Sequence, residues 1–166
     1  MKNKKMSLVA IALVTVMSSS AMASDFTDTL KSKKVAVGFQ NSFMSWGLSG
    51  KMQLSDKWTA QGVIGALGTF TSFSGRGLYK LQSDKYWEMY GFGQAGVWMW
   101  GGGRGYDSET TFGFGGGAGV EGDWRALSPK LPPLYWNIEA GLGVISWENY
   151  SGFSIFNFGS GVHYKF

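Results

Sequence analysis

The 166-residue sequence contains no cysteine, a single histidine and only three prolines. Without cysteine the chain has no disulfide bridges. The lack of cysteine also argues against a lipoprotein, whose acylated residue is a cysteine at the cleavage point. One histidine, His163, and carboxylates without diagnostic spacing predict no metal site. Stability must therefore come from the backbone hydrogen bonding and side-chain packing of the chain itself.

Long apolar runs are also missing after the first 23 residues, so no transmembrane helix is predicted. The beginning of the chain has a different pattern. Lysines at positions 2, 4 and 5 precede an apolar core from Leu8 to Met17 and the small-residue exit Ala21-Met22-Ala23. This order predicts a secretory signal peptide, residues 1–23, cleaved after Ala23 and followed by a periplasmic N-terminal segment, residues 24–34.

Charge of one sign is scarce once that segment is removed. The signal carries three of the fifteen Lys and Arg residues and none of the eleven Asp and Glu residues, so the net charge falls from +4 to +1. The remaining basic residues are scattered and form no stripe. Nucleic acid is therefore not predicted as a partner.

The end of the chain alternates strictly between apolar residues and polar or small ones. Phe158, Val162, Tyr164 and Phe166 share one face, while His163 and Lys165 share the other. This period of two predicts a strand that runs to the terminus. The pattern resembles the C-terminal signal by which the barrel-assembly machinery recognises outer-membrane β-barrel proteins for insertion.

The mature chain is rich in glycine and aromatic residues, with 26 Gly and 27 Phe, Trp and Tyr in the whole sequence. This composition suits strands that face lipid on one side, and in a bilayer such strands satisfy their backbone groups only by closing into a barrel. We therefore predict an all-β fold, an eight-stranded antiparallel up-and-down transmembrane β-barrel over residues 35–166. The predicted strands are 35–40, 45–54, 58–70, 75–82, 86–100, 111–124, 135–145 and 153–166.

Residue parity divides these strands into two faces. The outward face is predicted to collect apolar residues, with Trp58, Trp87, Trp124 and Trp136 as a girdle near the periplasmic turns. The other outward residues are Trp46, Leu48, Met52, Leu54, Ile64, Phe70, Tyr79, Leu81, Met89, Val97, Phe112, Phe114, Val120, Ile138, Leu142 and Val144. The lumenal face collects the polar ones, namely Gln40, Lys51, Gln53, Gln61, Arg76, Lys80, Gln82, Glu88, Gln94, Glu121, Asp123, Asn137, Glu139, Asn157, His163 and Lys165.

Both signs of charge occur on the lumenal face. An eight-stranded barrel leaves an interior that its own side chains fill, so Lys51, Arg76 and Lys80 are expected to pair with Glu88, Glu121 and Glu139. Together with His163 they form a predicted lumenal polar network. We interpret it as a structural plug in a lumen that is not a porin channel. A catalytic constellation or a narrow solute or ion path is the alternative.

Glycines on one strand are predicted to complement aromatic residues on the next. Glycines at 113, 115, 117 and 119 fall on the lumenal face of the sixth strand, and the strand before it points Tyr90, Phe92, Trp98 and Trp100 inward. A row without side chains makes room for a row of large ones. The segment Gly91–Gly96 matches G-x-G-x-x-G, but it lies inside a strand with no helix after it. No cofactor is therefore predicted.

His163 is the residue on which any hydrolytic function would depend. Outer-membrane lipid A deacylases use a histidine as general base toward a serine. Here the nearest serine in sequence, Ser160, falls on the opposite face, and a histidine hydrogen-bonded to a lumenal carboxylate is favoured. We predict no enzyme activity, with a lipid-modifying hydrolase as the alternative.

Signal peptide, eight amphipathic strands and the terminal Tyr-Lys-Phe together resemble the small outer-membrane barrels of the OmpA transmembrane, OmpX and Ail type. The resemblance implies a monomer in the bacterial outer membrane, in contact with outer-membrane lipid and lipopolysaccharide, with a structural or surface-interaction role. No peptidoglycan-binding segment follows Phe166 in this sequence, so tethering to the cell wall is not implied.

One outer connection, residues 101–110, has content suited to binding. It combines flexible glycines with Arg104, Tyr106, Asp107 and Glu109. Loops on rigid scaffolds commonly carry binding residues, and Tyr and Arg are enriched at recognition hot spots. We predict that these four residues form a candidate surface-binding loop for an unknown ligand, or for lipopolysaccharide phosphates at Arg104.

Overall fold

The computed structural model describes residues 34–42, 44–101, 108–146 and 155–166. The predicted signal peptide and the segment that follows it up to residue 33 lie outside these residues. In the described residues the strands are β1 (Val35–Ser42), β2 (Trp46–Gln53), β3 (Trp58–Leu67), β4 (Phe70–Ser83), β5 (Trp87–Trp100), β6 (Glu109–Asp123), β7 (Leu134–Ser146) and β8 (Ile155–Lys165). No helix in this part of the chain is long and apolar enough to cross a membrane.

Each strand pairs antiparallel with its neighbour in the chain, and β1 also pairs with β8. In that last pairing Val37 lies opposite Tyr164, and Phe39 lies opposite Val162. The sheet is therefore a closed barrel without a free edge strand. The predicted eight-stranded up-and-down topology is confirmed.

Burial alternates along most of each strand, because successive side chains point to opposite sides of the sheet. In β2, for example, Ser49 and Lys51 are buried while Leu48 and Met52 are exposed. Large apolar side chains dominate the exposed set, including Leu48 at 73%, Phe114 at 67% and Ile138 at 61%. The apolar face is thus the outer face of the barrel.

The β3–β4 connection is shorter than predicted. We expected the strand to continue to Phe70 and a loop at 71–74, but Gly68 and Thr69 alone form the turn, and β4 begins at Phe70. Gly68 has a φ of 60°, a left-handed conformation that glycine adopts without a Cβ clash, which permits so tight a turn. The shorter turn changes the parity of Phe70.

Phe70 consequently packs toward the interior instead of outward. It lies against the buried cluster of Met44, Trp98 and Ile145, and its ring stacks on Trp46 with centroids 6.1 Å apart. Trp46 was also predicted to face outward, yet it is only partly exposed because its indole covers this side of Phe70. Both aromatic residues contribute to the interior near the β1–β2 hairpin.

A β-bulge in β4 changes the face of Gln82. Lys80 lies opposite Tyr90, but Gln82 lies opposite Met89, so the extra residue between them reverses the alternation. Met89 belongs to the exposed apolar set. The inward orientation predicted for Gln82 is therefore wrong, and the side chain is exposed.

The strand β6 begins two residues earlier and ends one residue earlier than predicted. It includes Glu109 and Thr110, which were predicted to be loop, and it stops before Trp124. Trp124–Ala126 instead form one 3-10 turn. The Asp123 carboxylate caps this turn by accepting a hydrogen bond from the Arg125 backbone N–H. Trp124 remains partly exposed in this turn.

The tight turn at Gly68 generates a prediction about stability. Gly68→Ala should lower the free energy of unfolding by about 1 kcal/mol, because an L-residue resists the left-handed conformation. Gly62→Ala is a matched control, since Gly62 is a strand glycine whose added Cβ would meet nothing within 4 Å. Urea titration of the refolded protein in lipid vesicles measures both. Equal effects of the two substitutions would contradict the role of the turn.

Candidate functional site

The lumen contains most of the buried polar side chains of the described residues. They come from all eight strands and include both signs of charge. The buried members are Gln40, Ser42, Ser45, Ser49, Lys51, Gln61, Ser72, Ser74, Arg76, Gln94, Thr111, Glu121, Asp123, Asn137, Glu139, Asn157 and His163. Isolated buried charges are costly, so the pairing of these groups determines what the lumen can do.

The Arg76–Glu139 ion pair lies at the centre of the largest cluster. Arg76 Nη2 is 2.6 Å from Glu139 Oε2, and Arg76 Nη1 donates to Gln61 Oε1 at 2.9 Å. The guanidinium also lies over the ring of Phe92, 4.5 Å from its centroid. Both charged side chains are at most 2% exposed, so water screens their attraction little.

Three further side chains of the barrel wall donate hydrogen bonds to Glu139. Its Oε1 accepts from the Tyr90 hydroxyl at 2.7 Å and from Asn137 Nδ2 at 2.9 Å, and its Oε2 accepts from Gln40 Nε2 at 3.2 Å. With these donors and Arg76, both carboxylate oxygens have partners. Such multiple donation fixes the position of the carboxylate in the lumen.

A second cluster surrounds Glu121. Its Oε2 pairs with Lys51 Nζ, and its Oε1 is 3.0 Å from Lys165 Nζ. Lys165 Nζ also lies 3.6 Å from the centre of the Tyr135 ring. The cluster joins side chains of β2, β6, β7 and β8 at the end of the barrel where β8 reaches the C-terminus.

The third pair of the predicted network is more accessible. Lys80 Nζ is 3.0 Å from Glu88 Oε2, with side chains 31% and 27% exposed. The structure thus brings the six charged residues of the predicted network together as three pairs. Of these, Lys51–Glu121 and Arg76–Glu139 are buried, whereas Lys80–Glu88 is half-exposed.

Next to the 3-10 turn a further ion pair was not anticipated. Arg125 Nη2 donates to Asp123 Oδ2 at 2.6 Å and to the Tyr135 hydroxyl at 2.7 Å. The hydrogen bonds that Arg125 donates to the Asp123 carboxylate raise the pKa of Arg125 above its ordinary value. Sequence parity assigned only Asp123 to the lumen, because Arg125 falls after the end of the strand.

His163 contacts a serine that sequence spacing did not suggest. His163 Nε2 is 2.9 Å from Ser49 Oγ, and both residues are buried. The expected partner was a carboxylate, and the nearest serine in sequence was Ser160. Register explains the difference, because β8 and β2 both pair with β1 and bring these two inward positions together.

The Ser49–His163 pair lacks the third member of a hydrolytic triad. His163 Nδ1 has no hydrogen-bond partner in the described part of the structure, so no acid orients the imidazole. Within the same residues no group of three or more His, Cys, Asp or Glu side chains could hold a metal ion. The pair therefore resembles a structural hydrogen bond.

The β1–β2 hairpin contributes residues to the lumen that sequence analysis missed. Ser45 Oγ lies 2.8 Å from Ser74 Oγ and donates to Gln94 Oε1 at 3.1 Å. Met44 is 1% exposed and packs against Trp98 and Ile145. The hairpin tip thus folds inward and crosses to β4, β5 and β7.

Glycines of β6 and β7 provide the space for Met44. A Cβ added at Gly115 would lie 3.2 Å from Met44 Sδ, and one added at Gly143 would overlap that atom. Gly113 and Gly119 make room for Trp98 and Tyr90, as the predicted pairing of glycines with aromatic residues requires. The alternating pattern of a strand does not predict the inward direction of Met44, because Met44 lies in a turn.

The candidate surface-binding loop lies largely outside the described residues. Arg104, Tyr106 and Asp107 belong to the segment 102–107, of which nothing is described, while Glu109 begins β6 opposite Trp100. The residues of the C-terminal signal are exposed, with Phe158 at 73%, Val162 at 42%, Tyr164 at 40% and Phe166 at 46%.

Comparison with known proteins gives two solved structures. No protein-family model and no curated protein sequence matches this chain. The chain is similar to the crystal structure of Ail, the attachment invasion locus protein of Yersinia pestis. The identity is 13%, the TM-score is 0.42, and the match covers 80% of this chain and 96% of Ail. It is also similar to the backbone structure of the Yersinia pestis outer membrane protein Ail in a phospholipid bilayer nanodisc, with 16% identity, a TM-score of 0.41, and coverage of 80% and 97%. Ail is one of the small barrels named in the sequence resemblance, and the fold assignment itself rests on the strand pairing described above.

The central ion pair generates the prediction for this site. Arg76→Ala should lower the free energy of unfolding by about 3 to 5 kcal/mol, because it leaves the buried Glu139 carboxylate without its cationic partner. Lys80→Ala removes the half-exposed cation of the third pair and should cost less than about 1 kcal/mol. Urea unfolding in vesicles compares the two variants.

The double variant Arg76→Met with Glu139→Gln separates loss of charge from loss of shape. It should recover most of the stability lost in Arg76→Ala, because no unpaired charge remains. If the single variant is no less stable than Lys80→Ala, the Arg76–Glu139 pair is not the centre of the lumen.

Proposed function

We propose that this protein is a small integral barrel of the bacterial outer membrane, with a closed lumen and a structural or surface-interaction role. Residues 1–23 would direct secretion and be removed, and residues 24–34 would lie in the periplasm. The barrel would contact outer-membrane lipid and lipopolysaccharide as a monomer. The surface loop with Arg104 and Tyr106 would be its site of interaction with an external ligand.

Membrane insertion is supported by the inversion of the usual burial pattern. The outer face exposes Leu48, Ile64, Phe112 and Ile138 by more than half, whereas Glu139 and Arg76 are buried inside. A water-soluble barrel would leave such an apolar belt exposed, which soluble proteins avoid over large areas. Lipid covers the belt, and closure of the sheet leaves no unpaired edge in the hydrocarbon.

One observation carries the proposal of a closed lumen, namely the hydrogen-bonded cluster around Glu139. Gln40 of β1, Arg76 of β4 and Tyr90 of β5 reach across the interior to the Glu139 carboxylate on β7. Asn137 of β7 donates to the same carboxylate, and Gln61 of β3 accepts a hydrogen bond from Arg76. Direct side-chain bonds between different walls support an interior without a continuous water path at that level. A porin-like channel would instead need a wider barrel.

A hydrolase is the alternative that the Ser49–His163 pair raises. A serine hydrolase needs an oriented histidine and a position where substrate reaches the hydroxyl. Ser49 is 2% exposed and His163 is fully buried, so an acyl chain in the membrane does not meet the serine. The geometry favours a non-enzymatic protein.

Single-channel recording in planar bilayers tests the closed lumen. The refolded mature protein should show no steady conductance steps at neutral pH, because the Glu139 cluster obstructs the lumen. A porin reconstituted in parallel serves as the positive control. Steady openings that change in size in Glu139→Gln would overturn the proposal and support the narrow-path alternative.

Recognition by the barrel-assembly machinery gives a separate prediction. Deletion of Phe166 should reduce the amount of protein inserted in the outer membrane of cells several-fold, while refolding of the purified protein into vesicles should be nearly unchanged. The reason is that the assembly machinery recognises the terminal aromatic residue, which does not pack in the interior of the barrel. Leu127→Ser is a matched control, because Leu127 is an exposed apolar residue outside the strands, 85% accessible. Equal loss of refolding and of cellular insertion would show that Phe166 acts through stability alone.

A further inference from the structure

The strands β1 and β2 are the shortest in the barrel, with eight residues each, whereas β4 to β7 have 13 to 15. Eight residues at about 3.4 Å each and a tilt of about 40° rise roughly 20 Å, less than the apolar band of about 25 Å that such barrels present to lipid. If the protein spans the outer membrane as proposed, the β1–β2 hairpin ends below the outer edge of the hydrocarbon. The wall of the barrel is therefore lowest at this point.

An open groove lies beside the hairpin. Its volume is about 580 Å³, and it is lined by Asn41, Ser42, Trp46, Phe158, Gly159 and Ser160. This volume falls within the range of small-molecule sites in proteins. Asn41, Phe158 and Ser160 form its outer side, with Phe158 73% exposed, so this side borders the surface that faces lipid. Ser42 and Gly159 form its lumenal side.

Two polar side chains interrupt the apolar outer face at this groove. Asn41 lies directly opposite Ser160 on the adjacent strand, and both are exposed. Their neighbours Phe39, Phe158 and Val162 on the same face are apolar. Neither Asn41 nor Ser160 has a side-chain hydrogen bond to another described residue. Polar groups in hydrocarbon without a partner are costly, so an oxygen or hydroxyl from the lipid is the available partner.

We propose that this groove binds an acyl chain of an outer-leaflet lipid that carries a hydroxyl or ester oxygen below its headgroup. The 3-hydroxyacyl chains of lipopolysaccharide have this chemistry, whereas the plain chains of phospholipids carry no oxygen beyond the ester at the headgroup. The Asn41 amide donates to the chain oxygen, and the Ser160 hydroxyl donates to it or accepts from the chain hydroxyl. Phe158 packs against the methylene groups from the outer face, and the partly exposed Trp46 closes the groove on the side of the hairpin.

The site requires no charged residue, which distinguishes it from binding of lipid phosphates. Among the described residues, its lining consists of an amide, two hydroxyls, two aromatic rings and Gly159. Recognition by Arg104 would act on the headgroup, above the membrane surface. The two modes are therefore separable by changing the acyl chain while the headgroup is kept constant.

The experiment compares two synthetic glucosamine glycolipids with the same phosphorylated headgroup, one with 3-hydroxymyristoyl chains and the other with myristoyl chains. The mature protein is refolded into vesicles that contain equal amounts of both, extracted in mild detergent, and analysed by native mass spectrometry. The hydroxylated glycolipid should be retained in preference to its analogue. In Asn41→Leu with Ser160→Ala this preference should fall about tenfold, the effect of losing one to two hydrogen bonds.

Thr110→Val is the matched control, because Thr110 is an exposed hydroxyl residue on β6, remote in strand order from the β1–β8 groove. It should keep the preference for the hydroxylated lipid. Ser160→Ala alone provides a second variant if the double variant refolds poorly, and it should show an intermediate loss. Equal retention of the two glycolipids by the unaltered protein, or an unchanged preference in both groove variants, would overturn the proposal.

Failure of the membrane proposal gives a different result. Electrophoresis of boiled and unboiled samples from the same vesicles reports whether the compact barrel has inserted. If no boiling-dependent shift occurs, both the proposed function and the groove proposal fail. If the shift occurs and the lipid preference does not, the protein is a membrane barrel and only the groove assignment is wrong.

Discussion

Closure of the sheet through the β1–β8 pairing is the constraint on which the other features depend. Once the first and last strands pair, alternate residues of every strand point to one common interior. The interior of eight strands is narrow, so long polar side chains from opposite walls meet. Arg76 on β4 reaches Glu139 on β7, and Lys51 on β2 reaches Glu121 on β6. These contacts would not form in an open sheet.

The balance of large and small side chains inside the barrel follows from the same narrow space. Tyr90 and Trp98 project inward from β5. Tyr90 lies opposite Gly119 on β6, and the Trp98 ring lies close to Gly113. A Cβ at Gly119 would approach the Tyr90 ring to 2.7 Å, so even alanine would displace the hydroxyl that donates to Glu139. Packing and the polar cluster are thus coupled, since the glycine keeps the tyrosine in position and the tyrosine completes the carboxylate's partners.

The interior of the barrel differs in composition between its two ends. At the end where β8 reaches the C-terminus, the interior contains charged groups such as Lys51, Glu121 and Lys165. Near the hairpin it contains Met44, Trp98 and Ile145, with Ser45 as the polar link to the wall. Because its strands are short, the hairpin tip contributes to the interior instead of extending above the barrel. The same shortness leaves the groove of Asn41 and Ser160 on the outer side.

The sequence by itself determined the number of strands, the two faces and the identity of the charged residues inside, because a period of two is a local property that each segment shows alone. It also suggested that Lys51, Arg76 and Lys80 would meet Glu88, Glu121 and Glu139. It did not determine which cation would meet which carboxylate, nor that His163 would meet Ser49, because those contacts depend on register between strands distant in the chain. It placed Phe70 and Gln82 on the wrong faces, since a two-residue turn at Gly68 and a bulge in β4 each change parity by one residue. Only the tertiary structure decided these points. It also decided the inward position of Met44, because a turn residue has no periodic pattern and its direction is set by the space that glycines on other strands leave open.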